Sequence, residues 1–508
     1  MSVVPRTGNA TEPARAFLDR RGALLLTLLL AAAGLAVRWP RLTQSIWFDE
    51  AFRTKVVLSG ESAWRLLLRD VHNPLYNAFM YVWVRVVGDT ELAIRVPGLL
   101  AGIGLILVVF RWTRERWGPA AAWWAAAWLS VSPVHVWYSC EAKNNIVTVF
   151  FTALTLWRLD VACTRRTAGA VAAAAFAGGA AIWTDFQSLL ALPVAWAAWC
   201  WLLARRGEGR PAAWRVPVAC AAGSLALALP LVVFKAGHVA ELQRAYLRYF
   251  HWHEVFRLFF VYFPTGNALV PTTRSTWPFA ALAFAPVVLP ALAAGVRRLR
   301  ASVAGSVVLV SVFVPPVAMA ILTESMMLAG ADTRLYQERN LLVMLPGLAV
   351  LLGVGATSVR WPRVRAAVAA GVLALAFVSS VALVTWNHDR TTLMYPNPDW
   401  RAAGEVVRSE GGPAPLVVSR GFLLPFRYYH RAARTVQLRG EEPLADAIAK
   451  VAARENPGEL WFIWNHHAKT LPPEELGAIE RGFLVVSRDD FRSLAVLRLR
   501  PRATLKLH

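Results

Sequence analysis

Acidic residues are few in this chain of 508: there are 32 Asp and Glu against 54 Lys and Arg, and charged residues of both signs reach only 17%. Soluble domains average about a quarter, so an ordinary soluble protein of this length is excluded. Cysteine is scarcer still. The four present, Cys140, Cys163, Cys200 and Cys220, fit no metal-ligand spacing and imply no disulfide framework. Charge is also missing from the centre of every long apolar run. The first such run lacks a convincing small-residue cleavage site, so it reads as an anchor rather than a signal peptide. No short-period repeat is evident.

What is abundant is apolar sequence, 56% of the chain, with 23 Trp. Eleven stretches approach the roughly 20 residues that cross a bilayer: 22–38, 92–110, 118–138, 142–160, 168–184, 186–204, 216–234, 275–296, 301–323, 340–359 and 366–387. A few carry a charge near one end (Arg95, Lys143, Arg158). The fold class expected is a polytopic α-helical membrane protein with about eleven transmembrane helices. Trp in such a chain most often forms belts at the membrane interfaces.

A formal charge of +22 could suggest nucleic acid, but the arginines collect in short loops between spans. Arg111, Arg114 and Arg116 form one group, Arg165 and Arg166 another, Arg205, Arg206, Arg210 and Arg215 a third. Arg297, Arg298 and Arg300, and Arg360, Arg363 and Arg365, complete the series. Under the positive-inside rule these loops and the N-terminal tail are cytoplasmic. The basicity is a topology signal, and no nucleic-acid partner is expected. The connections 39–91, 235–274 and 324–339 and the C-terminal segment then lie outside. Residues 72–88 are apolar enough to suggest a further span, yet counting it would invert every later loop. They read as an interfacial or re-entrant helix. The Ala, Arg and Trp richness points to a bacterial inner membrane.

The chain divides into three regions. Residues 1–21 form a cytoplasmic tail and 22–387 the transmembrane domain, whose first outer loop, 39–91, holds interfacial helices with apolar and basic residues interleaved. Residues 388–508 change character. Charges become frequent and the apolar runs shrink to strand length at 416–418, 460–464, 483–486 and 494–497, with helical stretches near Trp400–Arg408 and Pro443–Ala453. This alternation predicts a small extracytoplasmic α/β domain, and about 120 residues suffice for a core of its own.

Polar residues from several stretches gather at the outer level: Asp49 and Glu50, His72-Asn73-Pro74, Tyr138 through Lys143, Thr184-Asp185, and Arg334, Tyr336, Gln337, Glu338 and Arg339. Adjacent carboxylates at a bilayer edge must be hydrated, paired or put to use. Asp49 as a helix N-cap would leave Glu50 unexplained. His72 could belong to a turn around Pro74, Glu141 and Lys143 to an interfacial ion pair, and Arg339 to a helix anchor. Asp185 reads as a loop residue. Together, however, the set meets the demands of sugar transfer from a lipid phosphate. A carboxylate must take the acceptor's proton, which suits Asp49. Cations must stabilise the departing phosphate, which suits Lys143, Arg339 and His72. Glu50 could orient the acceptor or, with Asp49, help hold a divalent cation; a metal requirement stays open.

These residues also resemble a family. Ser45-Ile46-Trp47-Phe48-Asp49-Glu50-Ala51 is similar to the Asp-Glu motif just after the first span in family 39 glycosyltransferases, the C-type membrane enzymes that include protein O-mannosyltransferases and the lipid A aminoarabinose transferase. His72-Asn73-Pro74-Leu75-Tyr76 resembles a His-Pro-Pro-Leu-Tyr stretch, and Gly88-Asp89 through Glu91, Arg95 and Pro97 resembles the segment next in that family's order. Tyr138-Ser139-Cys140-Glu141-Ala142-Lys143 resembles Tyr-Ser-x-Glu-Ala-Arg, and Glu338-Arg339-Asn340-Leu341-Leu342 a Pro-Arg-Tyr-Leu-Leu segment. The likeness runs in order over 22–360. It implies an inverting hexosyl- or pentosyltransferase that uses a polyprenyl-phosphate sugar at the outer membrane face, with Asp49 as base and Asn73, Tyr76, Arg95, Tyr138, Glu141 and Tyr336 near substrate. The partners implied are the lipid-linked donor, membrane lipid and an acceptor that is a lipid, glycan or protein. Lys143 replaces an Arg, which exchanges a bidentate fork for a point charge.

Two other readings compete. A transporter or flippase of a lipid-linked sugar would carry broken helices and mid-membrane charges. Pro193, Pro230, Pro286, Pro290, Pro315 and Pro316 favour it, whereas the uncharged span centres do not. A non-catalytic scaffold would leave the outer acidic and basic residues without a purpose.

Overall fold

The computed structural model describes residues 32–58, 74–206, 213–235, 251–269, 276–330, 338–385, 397–421, 423–438, 442–465 and 471–502. Among them, eight helical segments are long and apolar enough to cross a membrane: Glu91–Trp117, Asn145–Arg165, Phe186–Arg205, Arg215–Val233, Trp277–Leu299, Val303–Leu328, Glu338–Ser358 and Pro362–Thr385. Ala168–Thr184 is a shorter apolar helix of 17 residues. Of the expected first span, residues 32–42 are described and helical. The expected span 118–138 is two helices, Pro119–Val131 and Pro133–Ser139. Ser132 between them is extended (φ −64°, ψ 125°), because the ring of a following proline disfavours the helical conformation.

The segment Glu338–Ser358 is buried almost throughout. It begins as a 3-10 turn, Glu338–Met344, and continues as the helix Leu345–Ser358. Its small residues let neighbours approach: a Cβ on Gly353 would meet the Ala121 carbonyl oxygen at 2.5 Å, and one on Gly355 that of Ala291 at 1.9 Å. Association in lipid rests on such packing, since lipid tails are as apolar as the side chains they would replace. The helix Pro74–Val87 has 14 residues, about 21 Å at 1.5 Å each. That is too short for a hydrocarbon core of about 30 Å. Tyr76, Met80 and Val84 of this helix instead form an apolar cluster with Ile46, Ala51, Ile94 and Ala142.

The C-terminal region is a five-stranded sheet with helices on both faces. Strands β1 (Leu416–Ser419), β2 (Arg434–Gln437), β3 (Leu460–Trp464), β4 (Phe483–Phe491) and β5 (Leu494–Pro501) lie in the order β2-β1-β3-β5-β4. β1 is parallel to β2 and β3, and β5 antiparallel to β3 and β4. Leu444, Ile448 and Ile479 fill one face and Trp400, Val407 and Phe426 the other. β2 and the helices Leu424–Tyr429 and Pro473–Gly482 lie beyond the elements read from sequence. β2 is a four-residue edge strand without an apolar run, so it carries no periodic signal. The boundary expected between 387 and 388 lies outside the described residues.

Candidate active site

Asp49 and Glu50 share the first turn of the helix Phe48–Leu58 but meet opposite surroundings. Glu50 is fully buried. Its Oε1 accepts from Arg95 Nε at 2.8 Å and from the Ala142 amide at 3.0 Å, and its Oε2 from Arg95 Nη2 at 2.7 Å and the Trp47 amide at 3.2 Å. Burial pushes this carboxyl up, but Arg95, with Arg41 and the Ala142 amide, outweighs it and leaves it below the usual carboxylate range. The second carboxylate is therefore a brace that ties the Asp49 helix to the helix Glu91–Trp117 and to the turn before Asn145. Arg95 engages both oxygens of Glu50. Among the described residues, no three His, Cys, Asp or Glu side chains gather as a metal site.

The Asp49 side chain is 30% exposed. Lys143 Nζ donates to its Oδ2 in a short contact, and Arg339 Nη1 lies 3.7 Å from the same oxygen. Lys143 itself is 2% exposed and stands 5.6 Å from the centre of the Trp47 ring. Burial, helped by Arg339, lowers its pKa against the opposing pull of Asp49 and Glu141. Three residues from separate stretches of sequence thus form one cluster, a carboxylate bracketed by two cations.

Each is held from behind. A Cβ on Gly98 would lie 2.8 Å from the Glu141 carbonyl oxygen, and one on Gly102 2.7 Å from Ser139 Cβ. One turn apart on the helix Glu91–Trp117, these glycines admit the turn that carries Lys143. Arg257 binds Glu254 Oε2 at 2.6 Å and Glu338 Oε1 at 2.5 Å, which fixes the residue preceding Arg339. Asn144 donates to Asp185 Oδ2 at 2.5 Å, and Gln187 to Asn340 Oδ1 at 3.2 Å. Asp185, expected to be a loop residue, also accepts from the Gln187 amide at 2.9 Å and so caps the turn Phe186–Leu190.

The other expected site residues divide. Glu141 Oε1 accepts from Trp137 Nε1 at 2.7 Å and lies 3.6 Å from Arg41 Nη2, and burial raises its pKa. The Tyr138 hydroxyl lies 3.3 Å from that of Tyr262, which a π-helical turn, Leu258–Tyr262, presents. Arg95 is 0% exposed with every guanidinium nitrogen engaged: Nη1 donates to the carbonyls of Arg41, Leu42 and Gln44, and Nη2 also reaches that of Ser45. Tyr76 sits in the apolar cluster beneath Ala51. His72, Asn73 and Tyr336 lie outside the described residues. Arg257 and Glu254 escaped sequence reading, although their i, i+3 spacing in His251-Trp252-His253-Glu254-Val255-Phe256-Arg257 is a helix-pair signal.

The helices that start beside this cluster, Glu91–Trp117 and Asn145–Arg165, end in Arg114 and Arg116 and in Arg165. The Asp49 cluster and these arginine-rich turns therefore occupy opposite ends of the bundle. A cavity of about 480 Å³ opens at the arginine end, lined by Arg116, Arg166, Trp117 and Trp199. Asp160 pairs with Arg116 there, so the cavity is distinct from the Asp49 site.

Residues 71–234 match the model of a family described as dolichyl-phosphate-mannose-protein mannosyltransferase. Nearly the whole chain superposes on ArnT from Cupriavidus metallidurans in the apo state, with a TM-score of 0.60 at 14% identity, covering 94% of this chain and 98% of that one. The same protein bound to undecaprenyl phosphate gives 0.58 at 15%, covering 95% and 99%. The archaeal oligosaccharyltransferase AglB from Archaeoglobus fulgidus, in complex with an inhibitory peptide and a dolichol-phosphate, gives 0.52 at 12%, covering 88% and 70%. No curated protein matches by sequence. The fold is that of the GT-C membrane glycosyltransferases. Residues 71–234 thus resemble the mannosyltransferase family, and the fold resembles that of ArnT over nearly the full length.

Proposed function

We propose that the protein is an inverting glycosyltransferase that moves a sugar from a polyprenyl-phosphate donor to a hydroxyl-bearing acceptor, with Asp49 as general base and Lys143 and Arg339 holding the donor phosphate. The observation that carries this reading is the placement of a partly exposed carboxylate between two cations at one end of a membrane bundle. The acceptor oxygen attacks the anomeric carbon from the face opposite the phosphate, and its proton passes to Asp49. The bond from the anomeric carbon to the phosphate oxygen breaks, and its electron pair leaves on the lipid phosphate. Lys143 and Arg339 neutralise the charge that develops there, a task for which preorganised cations are effective. Glu50 and Arg95 act here as a positioning pair. No step is assigned to a metal.

The segregation of the arginine-rich turns from Asp49 supports a reaction at the outer face of the inner membrane, with the N-terminus cytoplasmic and residues 388–508 as an extracytoplasmic domain. The competing transporter reading relied on proline-broken helices. Pro230, Pro286, Pro290, Pro315 and Pro316 instead lie within continuous helices, whereas Pro193 opens the helix Leu192–Arg206 just after the 3-10 turn Phe186–Leu190. The deciding experiment measures release and transfer of labelled sugar from a panel of polyprenyl-phosphate donors, in membranes containing wild type or Asp49→Asn. Turnover by wild type that disappears in the folded variant is the expected result and names the donor. Donor flux across the bilayer without sugar release would replace transferase by transporter.

A further inference from the structure

The segment that leads to Asp49 has little regular structure of its own, yet it is gripped from two sides. The carbonyls of residues 41 to 45 are all met by side-chain donors. Arg95 supplies those to Arg41, Leu42, Gln44 and Ser45. Arg401 Nη2 supplies Thr43 at 2.9 Å, and Asn397 Nδ2 reaches the Ser45 carbonyl at 2.7 Å. The second set comes from the C-terminal domain. Its helix Leu424–Tyr429 ends in a phenol that accepts from the Ile46 amide at 2.8 Å and from Ser45 Oγ at 3.3 Å, and donates to Glu91 Oε1 at 2.6 Å. One donor and two acceptor sites exhaust a hydroxyl. Arg401 Nη2 reaches the same Glu91 oxygen at 2.6 Å, and its backbone amide donates to Ser45 Oγ at 3.2 Å. Arg431 pairs with Asp89 at 2.5 Å. Leu424, Tyr428 and Tyr429 pack on the cluster of Ile46 and Ala51.

We propose that the C-terminal α/β domain is a positioning device for the catalytic loop, in which Tyr429, Arg401 and Asn397 lock residues 43–46 against Glu91 and so set Asp49 against Lys143 and Arg339. The inference rests on the transferase reading and deepens it. Tyr429 holds the amide of Ile46, less than one helical turn of chain before the base, and it joins helix Glu91–Trp117 to the start of helix Phe48–Leu58. A domain present only to recruit an acceptor needs no such set of hydrogen bonds to this loop. A base displaced by about 1 Å loses on the order of 10²-fold in rate, so the domain acts on the chemical step and leaves donor affinity alone.

The test compares Tyr429→Phe, Arg401→Ala and Arg401→Lys with wild type and Asp49→Asn in the full-length protein, reading kcat, donor KM and melting temperature. Tyr429→Phe keeps the ring and loses the three hydrogen bonds. It is expected to lower kcat by about 10- to 100-fold with KM unchanged. Arg401 is 41% exposed, so its variants fold even where Tyr429→Phe does not; Arg401→Ala is expected to lower kcat and Arg401→Lys to restore part of it. Wild-type kcat in folded Tyr429→Phe, or in Arg401→Ala if Tyr429→Phe does not fold, overturns the inference while Asp49→Asn remains inactive. Retained activity in Asp49→Asn would instead remove the catalytic reading on which it rests.

Discussion

Glu50 and Arg95 form a buried, doubly hydrogen-bonded ion pair at 2.7 and 2.8 Å, next in the chain to Asp49, whose side chain is 30% exposed. Adjacent carboxylates at 49 and 50 thereby take different tasks: one stays accessible, and the other fixes the helix that presents it.

Removing one partner of a buried pair leaves an uncompensated charge. Glu50→Gln is expected to cost about 3–5 kcal/mol, seen as a lower melting temperature in detergent. The pH dependence comes from the lowered pKa of Glu50. A carboxyl depressed in the folded state stabilises fully above its unfolded value, about 4.3, and loses that contribution as pH falls through the folded value. The gap in melting temperature between wild type and Glu50→Gln should therefore hold from neutral pH to about 5 and close only below the ordinary carboxylate range. A gap that closes near neutral pH would contradict the pairing.

Lys143 is expected to be needed in its charged form. Its lowered pKa means that activity falls, as pH rises, before the range of an ordinary lysine near 10.4. Lys143→Met should lose at least about 10²-fold in kcat/KM, as removal of a single preorganised donor does elsewhere. Lys143→Arg keeps its charge at all working pH values, so the alkaline limb of its pH–rate profile should vanish. Persistence of that limb in the arginine variant would assign it to another group.

Gly98 offers a structural test of the site. Alanine there would place a methyl group 2.8 Å from the Glu141 carbonyl oxygen, and backbone cannot yield as a flexible side chain does. Gly98→Ala should cost about 1–3 kcal/mol and lower the rate of transfer with it. An equivalent alanine at Gly169, where nothing lies within 4 Å, should be neutral in both measurements.

Arg257 is expected to matter without touching substrate. It holds Glu254 and Glu338 together next to Arg339. Arg257→Gln removes the cation that two buried carboxylates share and should destabilise the protein by about 3 kcal/mol or more. The double variant Arg257→Gln with Glu338→Gln should recover part of that loss. Equal melting temperatures for the single and double variants would remove the coupling.

Periodicity and charge made part of this legible. Long uncharged runs require a membrane, arginine loops mark one end of the bundle, and the strand-length runs after residue 400 announce a sheet. Asp49, Lys143 and Arg339 were readable as a set because each stands at the end of a span that must surface at the same face. The role of Arg95 was not readable, since an arginine one turn into a span looks the same whether it meets substrate or a buried glutamate. Ser132-Pro133 carried a local signal for a break that the apolar run obscured.

The sequence by itself determined the fold class, the approximate spans and the chemical types available where those spans end, because these depend on composition and on patterns within about twenty residues. Tertiary structure alone decided which carboxylate is accessible and which is braced. It also decided that Tyr429, Arg401 and Asn397 close on a loop more than 350 residues earlier in the chain. Hydrogen bonds across such separations depend on how helices and sheet pack, and no local pattern encodes which distant donor meets a given carbonyl.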